Sequence, residues 1–482
     1  MPSCYNVPRN SLNLFNSITT GAAKMRQKQT RQMSLFSVTA RHDIGKELKE
    51  ISEVLDAAPQ MLDLVYNDLI RNRRHETGRE GMTAEQVLRA CVLKQMRCLS
   101  YEELAFHLED SNSFRAFARL EMGQYPSSST LQENIKPISD EAWEAIHICL
   151  MRYAQKSGIE NGRKMRIDST AVETDVHDPT DASLLWDGMR IITRWLEEGH
   201  TLDPRPDYRY SDHLRVAKKR LLAVVNAKNE ADRVSAYRDM VHYAGKVVGY
   251  AKDAIPALEK YQAVDLGGMI TAMGLRAQLK RAVELLEKVI SQTERRVFRG
   301  EKVPVSEKVV SYFEVHTDII VKSRREVVYG HKVFLTSGKS NLILDCLIER
   351  GNPADSEKYI PMLKRHEGIF RQMPRQASAD GGFASKKNLS DAKELKIKDV
   401  AFAKKRGLAV VDMVKSSWVY KKLKNFRAGI EANISTLKRA FGLDRCNWKS
   451  WEGFKRYVRS AIFAYNLQVI ARIRLESAKA AA

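Results

Sequence analysis

Residues 164–176 read "KMRIDSTAVETDV". The run reaches Asp168 through strand-prone residues and leaves it through small polar and β-branched ones, the composition of an interior strand. A buried carboxylate left without a partner is costly enough to demand a proton, a cation or hydrogen-bond donors. The residues elsewhere in the chain decide among the three.

The chain has 482 residues, 44% hydrophobic and 29% charged, enough apolar content for two to four domains. Its 80 Lys and Arg outnumber 59 Asp and Glu, leaving a formal charge of +21. Such an excess favours a polyanionic partner, of which nucleic acid is the commonest; the alternative is a basic surface that serves solubility alone. No apolar run approaches the ~20 residues that cross a bilayer. The cysteines at 4, 91, 98, 149, 346 and 446 are scattered. With no CxxC pair and no His cluster at zinc-ligand spacing, they read as reduced thiols of a cytosolic protein. The first 42 residues hold no Asp or Glu. That composition fits a transit peptide, a flexible DNA-binding arm, or an extension before a start at Met25.

From about 46 to 155 the apolar spacing is helical, with Pro59 as a break. Thr83 with Gln86 and Ser100 with Glu103 form capping boxes, and Ser129 with Gln132 offers a third helix start. Short helices with tight polar turns suit a helix-turn-helix bundle. Residues 178–305 form a second helical block. It opens at Thr180 and Asp181, carries Trp195 on its apolar face, and continues through helical stretches near 211–256 and 268–298. From 306 the character changes. "VVYGHKVFLTSG" and "NLILDCLIERG" read as a hairpin, 355–370 as a helix, and "RQASADGGFAS" as a strand ending at Asp380. A helix near 386–396, a strand at "DVAFAK" and a helical segment from about 424 complete an α/β domain interrupted by helices.

Three carboxylates stand at element positions suited to chemistry: Asp168 in the first strand, Asp380 at the end of a later one, and Glu431 in the C-terminal helix. Arg427, Glu431 and Lys438 share one helix face, although Arg and Glu four apart also make ordinary surface ion pairs. Two strand aspartates and one helix glutamate that converge can hold a pair of Mg²⁺ ions for in-line phosphoryl displacement. A divalent cation would then keep Asp168 ionised. Glu173, Asp175, Asp178 and Asp181 are weaker candidates as ligands, and Asp318 and Asp345 are rivals for the second carboxylate. His331 and Lys332 in "YGHKV" are candidates to reach DNA phosphate, against a reading as exposed strand residues. Lys438 is a candidate to hold phosphate beside the metals.

Four segments in order, "RIDSTAVETDVHDPTDASLLWDG", "HTDIIVKSRREVVYGHKVFLT", "SADGGFAS" and "FRAGIEANISTLKRAFGLDRCNWKSWEGFKRYVRSAIFAYNLQVIAR", resemble bacterial insertion-sequence transposases of the DDE type, with the ISNCY group as the nearest likeness. The resemblance covers about residues 80–475. It implies an α/β ribonuclease H-like catalytic domain with Asp168, Asp380 and Glu431 as the catalytic and metal-binding triad. Arg427, Glu431 and Lys438 match a Y-x2-R-x3-E-x6-K signature of related transposases, while Lys424 stands at its tyrosine position. Between Asp168 and Asp380 lie 211 residues, against 50 between Asp380 and Glu431, which places a large helical insertion after the first strand. The layout expected is a basic arm at 1–45, a helical N-terminal DNA-binding domain at 46–160 and a catalytic domain at 161–177 and 306–475. A helical insertion at 178–305 and a tail at 476–482 complete it. The resemblance further implies two Mg²⁺ ions, replaceable by Mn²⁺. It also implies terminal inverted repeats and target DNA as partners, no membrane, a homodimer or higher assembly, and a bacterial cytoplasm close to the nucleoid. A ribonuclease H-like nuclease or resolvase without strand transfer, and a non-catalytic DNA-binding descendant, are the alternatives.

Overall fold

The computed structural model describes residues 28–29, 42–71, 81–321 and 326–481. The expected basic arm, with Met25, falls almost wholly outside them. Among the described residues seven helices come first: α1 (Asp43–Ala57), α2 (Gln60–Ile70), α3 (Ala84–Met96), α4 (Tyr101–Asp110), α5 (Asn112–Ala118), α6 (Ser128–Ile135) and α7 (Asp140–Lys156). Pro59 separates the first two, and both capping boxes form, on Thr83 and on Ser100. The third start differs from the sequence reading. The Ser127 hydroxyl accepts from the Thr130 N–H, so α6 begins at Ser128 and Ser129 lies inside its first turn. Helix α3 is buried along its whole length, its Arg89 neutralised by Glu85 and Asp56.

Strand β1 (Lys164–Glu173) follows, and then four helices: α8 (Asp181–Gly199), α9 (Leu214–Asn226), α10 (Glu230–Glu259) and α11 (Leu266–Thr293). They enclose an apolar cluster of their own, built on residues such as Leu185, Ile192, Met240 and Leu286. The helical stretch near 211–256 holds two helices, with the Asn229 side chain capping α10 after a break. Trp195 packs against this cluster half-buried, not at its centre.

The chain then adds β2 (Asp318–Val321), β3 (Val327–Ser337), β4 (Ile343–Glu349), α12 (Asp355–Phe370), β5 (Gln376–Ala379), α13 (Lys386–Glu394), β6 (Asp399–Phe402), α14 (Ser417–Ala440) and α15 (Trp451–Ala481). Together with β1 the strands form one mixed sheet in the order β2-β3-β1-β5-β6, with β4 also on β3. Strand β1 lies between antiparallel β3 and parallel β5. Helix α14 starts seven residues before the expected 424, since Ser416 caps it by accepting from the Val419 N–H. Helix α15 runs through the segment expected as a tail. It packs against α1, α3 and α7, so the N-terminal helices, α15 and one face of the sheet share a single apolar core. Among the described residues no helix is long and apolar enough to cross a membrane, and the five described cysteines are free.

Candidate active site

The register of β1 on β5 brings the two aspartates side by side. Ile167 pairs with Ala379 in parallel, so the next residue of each strand is Asp168 and Asp380, on the same face about 4.8 Å apart at the backbone. Helix α14 lies across β1, β5 and β6 and brings Arg427 and Glu431 over that face. The Arg427 guanidinium meets all three carboxylates. Its Nη1 is 3.3 Å from Asp168 Oδ2 and 3.4 Å from Asp380 Oδ1, and its Nη2 donates to Glu431. The other oxygen of Asp168 accepts from the Ser169 N–H at 2.8 Å, which fixes the carboxylate with Oδ2 turned toward the cluster.

The electrostatics follow from this crowding. Burial is the largest influence on Asp168 and, with Asp380 and Glu431 nearby, pushes its pKa up to about 6, although the Ser169 N–H and Arg427 pull the other way. Folding therefore binds a proton at Asp168. Its contribution to stability is whole below pH 3.8 and is lost as the pH rises through about 6. In divalent-free buffer near pH 8, Asp168→Asn should be more stable than the parent by about 3 kcal/mol. The difference should close below pH 3.8. Urea unfolding at both pH values checks it, and a variant less stable at pH 8 would contradict the crowding.

Beneath the cluster lies a residue that sequence reasoning missed. Arg166 shares the Asp168 face of β1, two residues earlier, and is 4% exposed. It donates to Phe426 O at 2.9 Å, Ser337 Oγ at 3.2 Å and Asn341 Oδ1 at 2.6 Å, and stacks on the Phe426 ring. The period-two alternation of a strand was the available signal. On the opposite face, Ser169 Oγ donates to Asp355 Oδ1 at 3.1 Å, and Lys332 Nζ reaches the same carboxylate at 3.2 Å.

The remaining expected residues lie apart from the triad. Lys332 is committed to Asp355 and Pro353 O. His331 is fully buried, with Nε2 against His316 Nδ1 at 2.7 Å and Nδ1 against Asp318 Oδ2 at 2.8 Å. Its ring faces the interior because β3 is covered on both faces, which takes it away from solvent-side phosphate. Lys438 pairs with Asp444 at 3.2 Å, about two turns along α14 from Glu431. Asp318 is held by His331 and the Gly351 N–H, Asp345 by Arg365, Asp181 by Arg296 and Gln292, and Asp175 by Arg445.

Hard oxygen donors from two strands and a helix fit divalent cations. As they lie, however, the three acids surround a guanidinium and not one another. Among the described residues no three Asp, Glu, His or Cys side chains close on one point.

Two family models match the chain: Transposase DDE domain over residues 322–467 and Transposase domain (DUF772) over residues 36–136. The chain is an insertion-sequence DDE transposase. No curated protein and no solved structure matches it. The DDE match contains Asp380, Arg427 and Glu431, while Asp168 lies upstream and joins them through the sheet register. As a DDE transposase it is a DNA-acting enzyme of a class that generally uses divalent metals.

Proposed function

We propose that this transposase, an ISNCY-like one, binds the terminal inverted repeats of its element and cuts and joins DNA with Asp168, Asp380 and Glu431 as its catalytic carboxylates. The observation that carries the reading is the single guanidinium of Arg427 in contact with all three acids. One small cation can draw together only side chains that already face a common point.

The same three carboxylates would hold two Mg²⁺ ions, with Mn²⁺ able to replace them. When bound, such ions polarise a water or a 3′-hydroxyl and neutralise the leaving oxygen. The chain's own residues prepare the site. The Ser169 N–H orients Asp168, and Arg427 offers a phosphate the N–H fork that it shows the carboxylates. Lys438 adds positive charge along the same helix face, its partner Asp444 being exposed.

In this reading the N-terminal helices, with the arm before them, hold the repeats, and the helices between β1 and β2 are an insertion in a ribonuclease H-like domain. Two element ends call for a homodimer or larger assembly, and the work is done in a bacterial cytoplasm at the nucleoid. The test is to incubate the protein with labelled end DNA, a supercoiled plasmid and Mg²⁺. Labelled ends covalently joined to plasmid are expected, and chelation should abolish them. Cleavage without joined product would assign a nuclease instead.

A further inference from the structure

At the end of the sheet away from the acids, the starts of the parallel strands carry positive charge. Lys164, Gln376 and Asp399 stand in register on β1, β5 and β6. The residues just before them are Arg163, Arg375 and Lys398. Backbone bonds tie this row: Arg375 N–H to Arg163 O at 2.9 Å and Lys398 N–H to Arg375 O at 3.1 Å. Parallel strands are about 4.8 Å apart, so the three cations span roughly 10 Å. The start of α14 forms the facing wall with Lys415, Trp418 and Lys422, around a groove of about 260 Å³.

None of the groove's six Lys and Arg residues makes an ion pair among the described residues. The one acid in its lining, Asp399, is buried and turned inward, accepting from Gln376 Nε2 at 2.8 Å and the Lys415 N–H at 3.3 Å. Crowding is evident at Lys164, whose pKa is lowered by burial and by the Lys422 and Lys339 ammoniums. Trp418 is 68% exposed beside the groove, with the Lys422 ammonium over its ring at 4.8 Å.

We infer that this groove binds the phosphodiester backbone of a DNA segment other than the one at the carboxylates. A row of about 10 Å is as long as about three phosphate steps of 3.4 Å rise along a strand, so it matches a run of successive phosphates better than one isolated phosphate. Trp418 offers an aromatic surface to the adjoining sugar or base. The groove cannot serve the reacting phosphate. Lys422 is nine residues from Glu431, about 13.5 Å along α14 and half a turn round it. The inference needs a DNA-binding protein, as the proposed function does, but not the carboxylate triad.

The experiment measures binding of a short labelled duplex by fluorescence anisotropy across a salt series. It compares the full-length protein with Arg375→Glu/Lys398→Glu/Lys422→Glu. The variant should bind at least about tenfold more weakly at low salt. Its log-log salt slope should be shallower by two to three, since each phosphate contact contributes about 0.9. A second variant, Arg375→Gln/Lys398→Gln/Lys422→Gln, guards against misfolding caused by charge reversal and should show the same loss of slope. A photo-crosslinking residue at position 418 should attach to the duplex, with unlabelled duplex as competitor. An unchanged slope in both variants, or no adduct at 418, overturns the inference. So does equal competition by inorganic phosphate, which would mark a small-anion site, or by polyglutamate, which would mark a docking site for acidic protein. If the parent binds no DNA, the proposed function fails too; if only the slope is unchanged, this inference alone fails.

Discussion

Asp168→Asn, Asp380→Asn and Glu431→Gln should each reduce metal-dependent cleavage by on the order of a thousandfold or more, equivalent to about 4 kcal/mol in the barrier. Each replacement keeps the side-chain volume and one carbonyl oxygen while removing the charge that a divalent cation needs. The fold should survive, because Asp380 and Glu431 have side chains 43% and 60% exposed and Asp168 is a charge that burial disfavours. Duplex binding should therefore persist in all three. Residues that act as a unit are not additive, so a double variant should cut no more slowly than the worse of its parents. Single-turnover cleavage, paired with anisotropy on the same preparations, separates lost chemistry from lost binding. A variant that cuts at the parent rate removes its residue from the site.

What could be read from the sequence divides by distance along the chain. The boxes at Thr83 and Ser100, the cap at Thr180 and the hairpin strands are local patterns, and they stand where the spacing puts them. Asp168 and Asp380 were recognisable as strand positions for the same reason. Their adjacency was not, because it depends on a parallel register between segments 211 residues apart. Arg427 and Glu431 read equally well as a surface ion pair; only the sheet beneath α14 makes the guanidinium a bridge between three acids. His331 shows the opposite error. Tyr329, His331 and Val333 alternate as an exposed strand face would, yet α15 covers that face with Trp451 and Phe454 against the imidazole. Its ring nitrogens are met by His316 and Asp318, a contact across the hairpin that strand alternation alone does not reveal. The basic groove is assembled from four separate segments, so no window of sequence displays it.

The second large effect is expected where α14 touches β1. Arg166 carries a buried charge that makes no ion pair among the described residues, and its acceptors are the Phe426 carbonyl, Ser337 and Asn341. Asn433 extends the same network to Ser337 Oγ at 2.7 Å and Asn341 O at 3.1 Å. These bonds set how far along β1 and how close to it the helix lies, and hence where Glu431 stands relative to Asp168. The approach is possible because residue 429 is glycine: a Cβ there would lie 1.9 Å from Arg166 Nη1. Gly429→Ala should therefore displace the guanidinium and cost roughly 2–3 kcal/mol of stability, despite the better helix propensity of alanine. Arg166→Met should lose a similar amount, since hydrogen bonds to a charged donor are each worth about 1.5–3 kcal/mol; Asn341 Oδ1 loses its donor, while Ser337 Oγ keeps Asn433. The decisive measurement is the double variant. With methionine at 166 the added methyl has no guanidinium to strike, so Arg166→Met/Gly429→Ala should be more stable than the sum of the single losses by 1 kcal/mol or so. Cleavage by both single variants should fall more than their stability at the assay temperature explains, with duplex binding kept. Strict additivity in urea unfolding, or activity that tracks the folded fraction alone, would reduce Arg166 to a packing residue with no part in aligning the acids.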